Sequence, residues 1–296
     1  MEDAELTMIG RSRDAIDLVI DPGSLEENVV EGQSFDPDYG VGAIVGTAAV
    51  DGRKVTIIAN DPETYSEKYP VVFAGVIGLE EAYKMAQAVY RTIEADKALP
   101  VAGKRPIVLI VDTPGNAPGK VEEIIGMNKA TGAYQLALAE ARGWGHPIVA
   151  VVIGRAISGA FLCHGLQADH ILALSKDFGT IIHVMPLTSI SRITKMDIER
   201  LEELSHENPI FASGVDFFYK LGGVAEIIPS IESMRDFVIR HIDEVREAKV
   251  SGRTEELGPK GRARLGELRQ GRTSRPKVMA LMHEQFDRVA DRYLKA

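Results

Sequence analysis

Residues 147–174, PIVAVVIGRAISGAFLCHGLQADHILAL, restrict the folds open to this chain more than any other stretch. The run opens with continuous apolar residues, Ile148 to Ile153, then passes a turn containing Gly154, Ser158 and Gly159. It continues as small residues, Ala160–Ala168, and closes on a second apolar run, His170–Leu174. A short apolar run bounded by turn residues reads as a strand buried on both faces, and small residues suit the crowded start of a helix. The local order is therefore strand, turn, helix, strand. A helix beginning at Gly159 and Ala160 leaves its first N–H groups without intrahelical partners, free to bind an oxyanion, and small residues there let a ligand oxygen approach the main chain. A packing role for Gly159 alone is the competing reading.

A second unit of the same kind precedes it. Ile107–Val111 reads as a buried strand and runs into Asp112-Thr113-Pro114-Gly115-Asn116-Ala117-Pro118-Gly119, a loop of turn formers where α/β folds place ligand sites. A helix follows from about Lys120 through Ile124, Met127, Tyr134 and Leu138 to Gly143. Two successive strand, glycine-bearing loop, helix units allow their loops to converge and supply two backbone donors. Upstream, Val41–Val50 and Lys54–Asn60 flank Asp51-Gly52 as a β-hairpin, and apolar spacing from Leu79 to Ile93 predicts a helix over Gly78–Lys97.

Composition excludes several classes. A chain of 296 residues with 45% hydrophobic content can bury a large core. The sequence lacks an apolar run of about 18 residues, and its acidic N-terminus is unlike a signal peptide, so a cytoplasmic protein without membrane insertion is expected. Cys163, the single cysteine, rules out an internal disulfide and reads as a core residue. No histidines have HExxH spacing, so no metal is expected. Residues 1–36 are acidic and read as a variable segment. Residues 251–296 carry eleven Lys and Arg against six Asp and Glu, a local +5 in a chain of net charge −9. Their first half, Ser251–Lys277, reads as a basic arm, and Val278–Leu294 as an amphipathic helix. The tail lacks the aromatic interleaving of a nucleic-acid site, so no nucleic acid is expected.

The order strand, VDTPGNAPG, helix, strand, GRAISGAF and HGLQADHILAL, with EAYKMAQAVYRTIEAD upstream and IIHVM at Ile181–Met185, resembles the carboxyltransferase branch of the crotonase-like superfamily. Within that branch it is most similar to the gamma subunits of malonate decarboxylase, over about Ile57 to Ile228. The resemblance implies an α/β fold built as a spiral of ββα units with flanking helices over residues 37–250. It implies a homologous beta-type partner subunit in a hetero-oligomer. It also implies an acyl carrier protein presenting a malonyl group as a thioester on its prosthetic group, with no cofactor held directly and biotin only in the biotin-dependent variant. Carried over by position, the first loop places an oxyanion donor at Gly115 or Asn116 beside Pro114, and the second turn places another at Gly159 or Ala160; Ser158 in that turn and His183, after an apolar pair, are candidate substrate contacts, with a structural histidine the competing reading of His183.

Two rivals share the fold. Clp-type serine peptidases carry a serine just before Gly-Ala-Phe and a histidine about 25 residues on; Ser158 and His183 have that separation, but the peptidase alignment puts the serine at Ile157. Under the carboxyltransferase reading Ser158 caps the helix instead. Enoyl-thioester hydratases use carboxylates, for which Glu122 and Glu123 are candidates, although both also suit a helix's first turn. His164 reads as a packing or hydrogen-bonding residue, His146 as a loop residue and Asp169 as a surface residue.

Overall fold

Each apolar run sorts its side chains alternately onto two faces, and that alternation builds the core. In a computed structural model, which describes residues 7–185, 187–207 and 214–294, Ile107, Leu109 and Val111 join one cluster while Val108 and Ile110 join the other. Ile148, Ala150 and Val152 likewise oppose Val149, Val151 and Ile153. Such strands must be covered on both faces, which is why they read as unbroken hydrophobic runs.

The strands are β1 (Glu26–Glu27), β2 (Val29–Val30), β3 (Gln33–Ser34), β4 (Ala43–Val50), β5 (Arg53–Asn60), β6 (Ile107–Thr113), β7 (Ile148–Ile157), β8 (His170–Leu174), β9 (Ile181–His183) and β10 (Glu226–Ile228). The main sheet runs β1-β4-β5-β6-β7-β8-β10, with β9 added alongside the end of β7, and β2 pairs with β3 separately. Pairing is antiparallel for β1-β4 and β4-β5 and parallel from β5 onward. Asp51 (φ 52°) and Gly52 (φ 68°) both take the left-handed conformation that a two-residue hairpin turn demands.

The helices are α1 (Ser12–Val19), α2 (Leu79–Asp96), α3 (Lys120–Ile125), α4 (Met127–Gly143), α5 (Ser158–Cys163), α6 (Leu187–Thr194), α7 (Ile198–Glu207), α8 (Val215–Lys220), α9 (Met234–Val250), α10 (Gly258–Leu268), α11 (Arg275–Asp287) and α12 (Ala290–Tyr293). One face of the sheet is covered by α2, α4 and α5, the other by α1 and α9. The chain is thus α/β. Among the described residues, no helix is long and apolar enough to cross a membrane.

Several local expectations change. The helix expected as one piece from Lys120 to Gly143 breaks at Gly126, whose φ of 124° ends α3 and restarts α4. Strand β7 runs through Gly154 to Ile157, because β9 pairs with Arg155–Ile157 and extends the ladder past the glycine. Residues 1–36 contribute Met8, Ala15, Ile16, Val19 and Ile20 to the core under the sheet. Asp169 is buried, accepting from the Ile148 N–H (3.0 Å) and pairing with Lys249 (3.1 Å), so it ties α9 to the entry of β8. His146 is also buried, donating from Nδ1 to the Arg105 carbonyl at 2.9 Å.

The first half of the tail packs back on the domain. Its arginines find backbone carbonyls: Arg262 donates to Ala168 (2.7 Å) and Leu166 (2.6 Å), Arg269 to Tyr219, Val224 and Ala225 (2.7 Å each), and Arg272 to Leu221 (2.8 Å). The local basic excess therefore satisfies carbonyls that end helices and loops. In α11 the periodic Val278, Leu281, Met282 and Phe286 are exposed.

Candidate active site

The two glycine-bearing loops converge. Strand β6 ends at Thr113, and the loop beyond it is pinned by Ile77: the Ile77 N–H donates to the Gly115 carbonyl (3.1 Å) and the Ala117 N–H to the Ile77 carbonyl (2.9 Å). That parallel bridge, Ile77 with Asn116, turns the Asn116 N–H away from Ile77, and among the described residues it meets no acceptor. The Gly115 N–H is engaged by Thr113 Oγ1 at 3.3 Å. Of the two donors expected in this loop, Asn116 is the free one.

Across from it, β7 passes into α5 without an intervening loop. Ser158 makes the turn, with a left-handed φ of 56° that costs a non-glycine residue about 1–2 kcal/mol. Ile157 holds the N-cap position without a side-chain cap, so Ser158 does not cap the helix: its positive φ places it inside the turn. Gly159 and Ala160 follow among the first residues of α5, where N–H groups have no intrahelical acceptor. A Cβ at Gly159 would lie 3.2 Å from Asn116 Nδ2 and 3.3 Å from Asn116 Oδ1. The missing side chain is what lets the two loops touch. Asn116 Oδ1 is buried and has no hydrogen-bond partner. Pro114 is partly exposed at the mouth of the loop.

His183 pairs in register with Ile157, which brings it beside Ser158. Its Nδ1 is buried without a partner, and burial lowers its pKa, so it is a neutral imidazole at pH 7. Ser158 is exposed and its hydroxyl makes no hydrogen bond to His183 among the described residues. Glu122 folds back into the space a Cβ at Gly119 would need, while Glu123 is exposed. Glu122 thus sits at the far end of the first loop, and among the described residues neither carboxylate hydrogen-bonds Asn116, Gly159 or Ala160. Cys163 is fully buried, its thiol pushed up to about 12 by burial, and is inert.

The loops are held by groups that sequence reasoning passed over. Between Val111 and Thr113 on β6 the register with β7 shifts, and Asp112, fully buried, faces the displaced residues. Its Oδ1 accepts from the Arg155 N–H (2.7 Å) and Nε (2.8 Å); its Oδ2 accepts from Arg155 Nη2 (3.0 Å) and the Gly10 N–H (2.7 Å). Arg155 also donates to the Ala74 carbonyl at 3.0 Å. A Cβ at Gly154 would stand 2.6 Å from Asp112 Oδ1. This bidentate pair locks both strand ends, the segment before Ile77 and the N-terminal segment. One signal was available: a lone Arg within a buried apolar run requires a carboxylate partner.

His164 lies beneath α5. Its Nε2 faces the Ile110 carbonyl (2.9 Å), which can only accept, so Nε2 carries the proton and Nδ1 accepts from the Tyr134 hydroxyl (2.9 Å). Burial pushes its pKa down to about 4.

Comparison with known proteins identifies relatives of this chain. Residues 74–286 match the malonate decarboxylase gamma subunit family. The malonyl-S-ACP:biotin-protein carboxyltransferase MADD of Malonomonas rubra is 62% identical over 288 residues, covering 97% of this chain and 99% of that protein. The crystal structure of a Pseudomonas malonate decarboxylase hetero-tetramer in complex with coenzyme A matches with a TM-score of 0.68 at 29% identity, covering 93% of this chain and 98% of that one. The Pseudomonas MdcD-MdcE hetero-dimer matches with the same TM-score at 30% identity, covering 93% and 99%. Transcarboxylase 12S, at 23% identity and a TM-score of 0.59, shares the fold. Full-length similarity of this kind sets aside the peptidase and hydratase readings: the chain belongs to the malonate decarboxylase gamma subunit family.

Proposed function

We propose that the chain is the gamma-type half of a malonyl-thioester carboxyltransferase whose active site is completed by a homologous beta-type subunit. The observation that carries this reading is the close approach of Gly159 to the Asn116 side-chain amide, which sets the loop bearing the free Asn116 N–H against the start of α5. Two fixed donors of this kind suit the oxygen of a thioester enolate. The carboxyl leaves with the C–C bond broken and the electron pair retained by the thioester as an enolate, whose negative oxygen meets donors that need no reorganisation. Near-complete coverage of MADD supports delivery of the carboxyl group to a biotin nitrogen, whose proton returns to the enolate carbon, over release as free CO2. The same relative supports an acyl carrier protein as the bearer of the malonyl group.

Need for a partner is supported by apolar surface beside the site. Val121 and Ile124 of α3, together with Val184 after β9, are 60%, 75% and 70% exposed. Side chains of this type left bare next to a functional loop mark an interface. The related Pseudomonas structures are hetero-oligomers.

Reconstitution tests the reading. The purified chain alone should not turn over malonyl-acyl carrier protein, and addition of the beta-type subunit and a biotinylated acceptor should restore carboxyl transfer that avidin blocks. Turnover by the chain alone refutes the split site; turnover indifferent to avidin refutes biotin as acceptor. Purification from the native source should yield a crotonase-like partner, whereas a homotypic ring with peptidase activity overturns the whole assignment.

A further inference from the structure

The start of β8 lies at the opposite end of its strand from the convergent loops, and there a second constellation gathers. His170 opens β8, Glu226 opens β10, and His241 and Glu244 stand three residues apart on α9. Nδ1 of His170 lies 2.8 Å from Nδ1 of His241, which lies 3.3 Å from Oε2 of Glu244; the third side, His170 Nδ1 to Glu244 Oε2, is 4.0 Å. A triangle with these sides is acute, and its centre lies about 2.0 Å from all three atoms, the distance at which imidazole nitrogen and carboxylate oxygen ligate zinc.

We propose that His170, His241 and Glu244 bind a divalent transition-metal ion of the Zn²⁺ class, with Glu226 orienting His241 from behind. Hydrogen bonding argues for a cation at that centre. His241 Nε2 is 3.0 Å from Glu226 Oε2, an acceptor, so Nε2 carries a proton. In the neutral ring Nδ1 then faces the Glu244 carboxylate at 3.3 Å and His170 Nδ1 at 2.8 Å, three electron-rich atoms around one point. A proton on His170 Nδ1 would serve the 2.8 Å contact and leave the carboxylate facing nitrogen. A metal ion would satisfy all three. The carboxylate behind a metal-binding histidine is the usual support for such a ligand.

Neighbouring charges leave the centre open. Arg240 holds Glu226 Oε2 (2.8 Å) and the other Glu244 oxygen, Oε1 (3.4 Å), while Arg262 and Arg269 are committed to backbone carbonyls. A cavity of about 480 Å³ between α9 and α10, also bordered by Asp169, Glu256 and Arg264, provides the entry path. Bound there, the ion would staple α9 to two strands at the sheet edge.

The test uses the full chain freed of metal by chelation and titrated with Zn²⁺ by calorimetry and with Co²⁺ by visible absorption. One equivalent should bind, raising Tm and producing Co²⁺ ligand-field bands. His170→Ala and His241→Ala should each weaken Zn²⁺ by more than about a hundredfold, and Glu226→Gln by about 10–100-fold. Glu244→Gln, on an exposed side chain, should keep the fold and alter the Co²⁺ spectrum. His283→Ala, on exposed α11, should change nothing. Lack of stoichiometric binding overturns the site, as does binding that survives His170→Ala and His241→Ala together.

Discussion

Replacing Gly159 by valine should separate backbone-donor chemistry from a serine nucleophile. The Cβ would sit 3.2, 3.3 and 3.4 Å from Nδ2, Oδ1 and Cγ of Asn116, closer than comfortable contact for all three atoms. Alanine would displace the amide by a few tenths of an ångström. Valine adds two methyl groups about 1.5 Å further out, which must displace the Asn116 side chain and crowd the space where an oxyanion would meet the first N–H groups of α5. Since φ at Gly159 lies outside the left-handed region, the change adds no backbone strain there. Loss of one oxyanion donor costs about 2.7–4 kcal/mol, or 10²–10³ in kcat. The reconstituted complex should therefore lose about that factor at saturating malonyl-acyl carrier protein while its Tm stays within a few degrees of wild type, and Gly159→Ala should fall between. Ser158→Ala removes an exposed hydroxyl and should change the barrier by less than about 0.5 kcal/mol. An inactive Ser158→Ala beside a near-normal Gly159→Val would refute the donor model and reinstate a nucleophilic serine.

Asp112→Ala strands the Arg155 guanidinium and unpins Gly10, so urea unfolding should show a loss of about 3–5 kcal/mol; a loss below 1 would mean that the pair is not a clamp. Tyr134→Phe leaves His164 Nδ1 without its donor and should cost about 1–3 kcal/mol, with an unchanged midpoint ruling out the assigned tautomer. The depressed His164 pKa makes stability fall with acidification: the contribution is complete above the unfolded value of about 6.5 and is lost as pH drops through the window to about 4, on the order of 3 kcal/mol, with His170 acting in the same direction. Unfolding free energies that are level between pH 6.5 and 4.5 would contradict this.

Unbroken apolar runs, the Asp51-Gly52 hairpin and the 3.6-residue spacing of α2 are local patterns, and they carried the α/β class and the positions of the two loops before any coordinates. VDTPGN and SGA likewise located the residues that now face each other. Tertiary structure decided which donor is free, since only the Ile77 bridge turns the Asn116 N–H outward while Thr113 occupies that of Gly115. It decided the fate of polar residues at element ends: Asp112, His146 and Asp169 look like loop or surface groups in sequence and are buried because partners 43, 41 and 80 residues away along the chain meet them there. The tail arginines read as a basic arm until the carbonyls they satisfy came into view. His170 and His241 stand 71 residues apart, beyond any spacing motif. Periodicity reports which face of an element is dry, a property of neighbours in sequence; which buried charge meets which depends on strand register and helix docking, set by packing between distant segments.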